Sequence, residues 1–143
     1  MNKKVMFSSV KDDWTTPDGL FCELDREFNF TVDAAASNIN AKCNYYWDKQ
    51  TDGLAKEWKG HTVFCNPPYG REIGKWVRKG YQEGHKPKTT VVMLIPARTD
   101  TAWFHEYIHN KAEVRFLRGR LKFGGGAEQR PISEYGCDME RAA

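Results

Sequence analysis

No apolar run in this chain is long enough to cross a bilayer. The first residues, Met1-Asn2-Lys3-Lys4-Val5-Met6-Phe7, do not form the apolar core of a signal peptide. A cytoplasmic protein with no membrane partner is expected. The four cysteines, Cys22, Cys43, Cys65 and Cys137, make no C-x-x-C pair and have no histidine at ligand spacing beside them. No metal site is therefore expected, and buried free thiols are. His105 and His109 stand at i and i+4, but with no third ligand nearby they read as a polar helix face. No internal repeat or low-complexity tract is present. The formal net charge of +3 is too small to argue for a polyanionic partner by itself. At 143 residues, the chain has the size of one domain spanning 1–143, with no room for a separate specificity domain.

Helical and strand patterns alternate along the chain. Thr16-Pro17 reads as a helix start, with a capping threonine and a proline in the first turn, followed by a stripe of Leu20, Phe21, Leu24 and Phe28. Phe30-Thr31-Val32 is a short strand running into Asp33, Tyr45-Tyr46-Trp47 a further strand, and Asp52-Gly53-Leu54 a turn. Thr62-Val63-Phe64-Cys65 is a β-branched and aromatic run of a buried strand. Ile73, Trp76, Val77 and Tyr81 lie at helical spacing, with Gly84 placed to end that helix. Thr90 to Ile95 is a continuous apolar strand stopped by Pro96. Trp103, Phe104, Tyr107 and Ile108 form another helix face, capped by Thr99 or Asp100, before a strand at Val114-Arg115-Phe116-Leu117. This order predicts an α/β fold, a parallel sheet with helices on its faces.

The most telling stretch is Asn66-Pro67-Pro68-Tyr69-Gly70. Each proline fixes its own φ and pushes the preceding residue into extended backbone, so the loop is stiff before any ligand arrives. It follows a strand, and open α/β sheets place their sites at the C-terminal ends of strands. The Asn66 amide oxygen and the Pro67 carbonyl could both accept hydrogen bonds from one planar amino group while Tyr69 stacks on the ring that carries it. Two acceptors favour the pyramidal amine of a transition state over the delocalised amine of the ground state. The competing reading is an ordinary Pro-Pro turn.

A donor group beside Asn66 needs a site of its own. Val32-Asp33-Ala34-Ala35-Ala36-Ser37 places a carboxylate at a strand end before small residues, which suits a positively charged ligand; a helix start with a capping Asp fits the same string. Trp14-Thr15-Thr16-Pro17 offers hydroxyls and unpaired N–H groups suited to an amino-acid carboxylate. Asp48 and Asp52 could face a ribose or an adenine edge, or simply form turns. Arg115, Arg118, Arg120, Lys122 and Arg130 cluster late in the chain, where alternation puts Arg118, Arg120 and Lys122 on one strand face. A polyanion could lie there, or the charges could guard a sheet edge.

Together, Asp-Trp-Thr-Thr-Pro at 13–17, Val-Asp-Ala-Ala-Ala-Ser at 32–37, Asn-Pro-Pro-Tyr-Gly at 66–70, Ile-Pro-Ala-Arg-Thr-Asp-Thr-Ala-Trp-Phe-His at 95–105 and Phe-Leu-Arg-Gly-Arg-Leu-Lys-Phe at 116–123 resemble the phage-type DNA N-6-adenine methyltransferase (Dam) family. The resemblance implies a three-layer, Rossmann-like class I methyltransferase fold, S-adenosylmethionine as cofactor, and DNA as partner, methylated at adenine N6. It implies catalysis by Asn66, Pro67, Pro68 and Tyr69, and cofactor binding by Trp14, Thr15, Thr16, Pro17, Asp33, Ala34, Ala35 and Asp52. It also implies DNA contacts by Arg98, Arg118, Arg120 and Lys122.

The chain departs from the family after Gly124, where a polar tail shows no strand run. The expected sheet therefore lacks its last strand, one that in class I methyltransferases inserts between two earlier ones. Two rival functions remain open. The same loop resembles that of enzymes methylating RNA bases or protein glutamines, and the tail with its basic cluster would also suit a catalytically silent nucleic-acid-binding remnant.

Overall fold

A computed structural model describes residues 2–8, 16–36 and 40–117. Five strands, β1 (Asn2–Ser8), β2 (Val32–Asp33), β3 (Thr62–Cys65), β4 (Thr90–Pro96) and β5 (Glu113–Phe116), form one sheet in the order β2-β3-β4-β1-β5. Every pairing is parallel. Three helices, α1 (Asp18–Phe28), α2 (Ile73–Gly84) and α3 (Ala102–Tyr107), connect them.

The central strands read as apolar runs because both faces are covered, as parallel sheets require. Alternate residues serve different helices. Val63, Cys65, Val91, Met93 and Ile95 pack with Ile73, Trp76 and Val77 of α2 and Phe104 of α3. Phe64, Val92 and Leu94 pack with Phe21 and Leu24 of α1. Aromatic edges reinforce the second cluster, with the Phe21 and Phe64 rings 5.1 Å apart in a T-shaped pair.

The strand at 62–65, the helix ending at Gly84 and the strand stopped at Pro96 lie where the sequence places them. Three features differ. β1 has no counterpart in the sequence reading, yet it pairs with β4 from Asn2↔Thr90 to Ser8↔Pro96 and with β5 from Lys4↔Glu113 to Phe7↔Phe116. An N-terminal strand thus holds an interior position in a sheet expected to be short of an interior strand; the tail after Gly124 lies outside the described residues. Second, Thr16 does not cap α1. The cap position is Pro17, and no side-chain capping bond forms. Third, α3 is capped by Thr101, whose hydroxyl accepts from Phe104 N at 3.3 Å, and not by Thr99 or Asp100.

Cys43 and Cys65 carry free thiols, as expected, and Cys65 is buried; Cys137 lies outside the described residues. Among the described residues, no helix is long and apolar enough to cross a membrane.

Candidate active site

Because the strands are parallel, their C-terminal ends share one edge, and the residues that follow them meet there. Asp33 ends β2, Asn66 follows β3, and Arg98 follows β4. A cavity of about 1050 Å³ opens at this edge. Thr16, Asp33, Ala34, Ala35, Asp52, Asn66, Pro67 and Pro68, all singled out in the sequence, line it. Pro17, Tyr69 and Arg98 are not among its lining residues. Trp14, Thr15, Arg118, Arg120 and Lys122 lie outside the described residues.

The Asn66 loop is anchored at two points. Asn66 Nδ2 donates to Thr16 Oγ1 at 2.8 Å, which is where the hydroxyl expected to cap α1 is directed instead. Tyr69 is buried, and its Oη donates to the Leu94 carbonyl at 3.2 Å. Its ring therefore sits against β4, whereas the sequence reading places it as a plate over the substrate.

Asp33 is only 3% exposed. Its carboxylate accepts from Lys42 N at 3.0 Å and from Ala35 N at 3.4 Å. Burial pushes its pKa up to about 6, against the opposing pull of those two backbone bonds and the Lys42 charge. The backbone of Asp33 also pairs with the segment expected as a strand at 45–47. Asp33 N donates to the Tyr45 carbonyl at 3.2 Å, and Trp47 N to the Asp33 carbonyl at 2.9 Å. A parallel bridge between Asp33 and Tyr46 results, extending the sheet beyond β2.

That pairing delivers Asp48 to the cavity wall. Asp48 Oδ1 accepts from Gln50 N at 3.0 Å, Thr51 N at 2.9 Å and Thr51 Oγ1 at 3.1 Å. Bonds from Thr51 hold this carboxyl below the usual carboxylate range. Asp52 adopts a left-handed φ of 56°, and its side chain accepts from Leu54 N at 3.2 Å, starting a 3₁₀ turn at Gly53–Ala55. Gly53 is required by a close approach, since a Cβ there would stand 2.1 Å from the Ala34 carbonyl oxygen. Trp58 Nε1 donates to the Gly53 carbonyl at 2.9 Å, and buried Glu83 of α2 accepts from Trp58 N at 2.7 Å. The turn is thereby tied back to α2.

Sequence reasoning missed Lys42, Trp47 and Trp76 as parts of the wall. Lys42 carries no local signal, and it is ion-paired to Asp18 in the first turn of α1. The two tryptophans read only as large apolar residues. In the basic cluster, Arg115 is already engaged: its guanidinium donates to both Glu27 oxygens at 2.7 and 2.6 Å and to Glu113 at 2.8 Å. Among the described residues, no group of three or more His, Cys, Asp or Glu side chains is arranged to hold a metal ion.

The family model described as DNA N-6-adenine-methyltransferase (Dam) matches residues 3–138. The chain is 33% identical over 115 residues to the DNA N-6-adenine-methyltransferase of Escherichia phage T1, covering 79% of this chain and 48% of that protein. It is 37% identical over 68 residues to the protein YfdM of Escherichia coli strain K12, covering 42% of this chain and 74% of that one. The chain thus spans about half the length of the phage T1 enzyme. No solved structure matches it. With a cavity at the strand ends that gathers the acid of β2 and the proline loop of β3, and a family match along nearly its whole length, the chain belongs to the DNA N-6-adenine-methyltransferase (Dam) family.

Proposed function

We propose that this protein transfers a methyl group from S-adenosylmethionine to the N6 amine of adenine in DNA, on a three-layer, Rossmann-like class I methyltransferase sheet. The observation that carries the reading is the position of Asn66, at the end of β3 in the wall of the cavity that also holds Asp33. The donor set suits the cofactor. Asp33, Asp48 and Asp52 bring carboxylates toward a cation and a ribose, Ala34 and Ala35 leave room for close approach, and Trp47 offers an apolar face. When bound, S-adenosylmethionine supplies an electrophilic methyl group on a sulfonium.

The chain's own residues do the remainder. Asn66 Oδ1 and the Pro67 carbonyl accept the two N6 hydrogens, which concentrates the nitrogen lone pair as the transition state forms. Pro67 and Pro68 keep these acceptors from moving when the amine arrives. Duplex adenine must first leave the stack, at a cost of about a few kcal/mol. Tyr69 can stack on the flipped base only after its ring leaves its seat at the Leu94 carbonyl. Arg98 is exposed beyond β4 and meets phosphate in this reading, together with Arg118, Arg120 and Lys122.

The test is transfer of labelled methyl to unmethylated DNA, with nucleoside analysis and Asn66→Ala in parallel. Label is expected in N6-methyladenine, with a fall of about 10²–10³ in kcat for the variant, the loss typical of a preorganised transition-state hydrogen-bonding group. Equal labelling of DNA without adenine would overturn the choice of acceptor.

A further inference from the structure

We infer that Thr16 is a positioning residue for Asn66, holding its amide at the place where it meets the substrate amine. The inference rests on the methyl-transfer reading above. An asparagine amide presents an acceptor at one end and a two-hydrogen donor at the other, on groups of nearly equal size. Packing alone does not choose between them, whereas the proposed chemistry works only with the oxygen turned to the amine. A reversed amide would set N–H against N–H. The bond from Asn66 Nδ2 to Thr16 Oγ1, 2.8 Å long, sets the nitrogen toward Thr16 and Oδ1 away from it; since a hydroxyl can also donate, the bond fixes the place of the amide more than its sense.

The hydroxyl suits this task because it is itself fixed. Thr16 is buried, and the ring of Pro17 bars it from helical backbone. Pro17 stands at φ −58° and ψ 136°, in the polyproline region. Asn66 precedes Pro67 and is confined in the same way. The contact therefore joins two pre-proline residues from distant parts of the chain, each with its backbone limited by the residue after it. A β-branched side chain adds stiffness at χ1. A threonine at this point of a helix start ordinarily caps the helix. Here α1 carries no side-chain cap, and the hydroxyl is given to the loop instead.

Thr16→Val keeps the shape of the side chain and removes its oxygen, while Thr16→Ser keeps the oxygen. In nitrogen-labelled correlation spectra of the full chain, the Asn66 side-chain amide is identified by its loss in Asn66→Ala. That signal is expected to move in Thr16→Val and to hold its place in Thr16→Ser. With DNA and saturating S-adenosylmethionine, kcat is expected to fall about tenfold in Thr16→Val, as for loss of about one net hydrogen bond. Thr16→Ser recovers the rate. A loss confined to cofactor affinity, or an Asn66 signal that does not move in Thr16→Val, overturns the inference. If wild-type protein methylates no DNA, the adenine reading fails on its own, and the spectra still decide whether Thr16 holds Asn66.

Discussion

From Asp33 to Leu54, one wall of the cavity is held in shape by carboxylates; from Asn66 to Pro68, the facing wall is held by prolines. In the first wall, Asp33, Asp48 and Asp52 each accept backbone N–H groups from residues a short way along the chain. These segments are irregular, and the aspartates supply the bonds that a longer strand or helix would otherwise provide. In the second wall the backbone is restricted by covalent rings, with the buried Tyr69 at its far end. A wall held by charge responds to protons, whereas a wall held by rings does not. The proline loop is thus expected to keep its shape under conditions that alter the other wall.

The largest expected effect lies in that charged wall. Folding raises the Asp33 pKa from 3.8 to about 6, so the folded chain binds its proton more tightly than the unfolded chain. Below the unfolded value both states are protonated and the group costs nothing. As pH rises through the window up to about 6, stability falls by roughly 3 kcal/mol, and above it the penalty is constant. In the proposed function, a sulfonium cation beside Asp33 would bind the opposite way, more tightly as the carboxylate ionises. Urea unfolding from pH 4 to 8 should show this fall in the wild type and a flattened profile in Asp33→Asn. Parallel profiles for the two proteins would remove Asp33 as the titrating group.

Next comes the packing of the same wall. Gly53→Ala forces a methyl group against the Ala34 carbonyl, which stands 2.1 Å from the added carbon. Stability should drop by about 2 kcal/mol, since the obstacle is backbone and not a movable side chain. A cofactor Kd that weakens with it would tie the 52–54 turn to the binding wall; an unchanged urea midpoint would mean that the turn gives way freely. The smallest effect belongs to the proline wall. Pro68→Ala should cost about 0.5–1 kcal/mol through the freer unfolded chain. Its cost should be the same at pH 5 and pH 8, and a pH-dependent cost would break the contrast between the walls.

What could be read from the sequence follows the range of the interactions involved. β3, α2 and β4 were legible because their patterns are local and their ends are marked by Pro67, Gly84 and Pro96. β1 was not, since its apolar run is only Val5-Met6-Phe7, behind two lysines, and its partners lie at the far end of the chain. Within the site, Asp33 and the proline loop stood out by composition alone. Lys42, Trp47 and Trp76 reach the cavity only through the fold. Thr16 is the instructive case: the local rule for a threonine beside a helix start predicts a cap, and a tertiary partner at Asn66 takes the hydroxyl instead. Tyr69 likewise reads as a substrate plate from its motif, while the structure seats it against β4.

The interior place of β1 also sets an order of events for a growing chain. β1 leaves the ribosome before the other four strands, yet Asn2 pairs with Thr90 and Lys4 with Glu113, so β1 has no neighbour in the sheet until β4 has been synthesised. Such distant parallel pairing is slow to form, because loop-closure entropy is lost before the contacts return anything. β2, β3 and β4 can pair without it, whereas among the described residues β5 hydrogen-bonds to the sheet through β1. The N-terminal strand therefore acts as the closing piece of the sheet, and until it is seated an exposed edge of β4 is left for other chains to find.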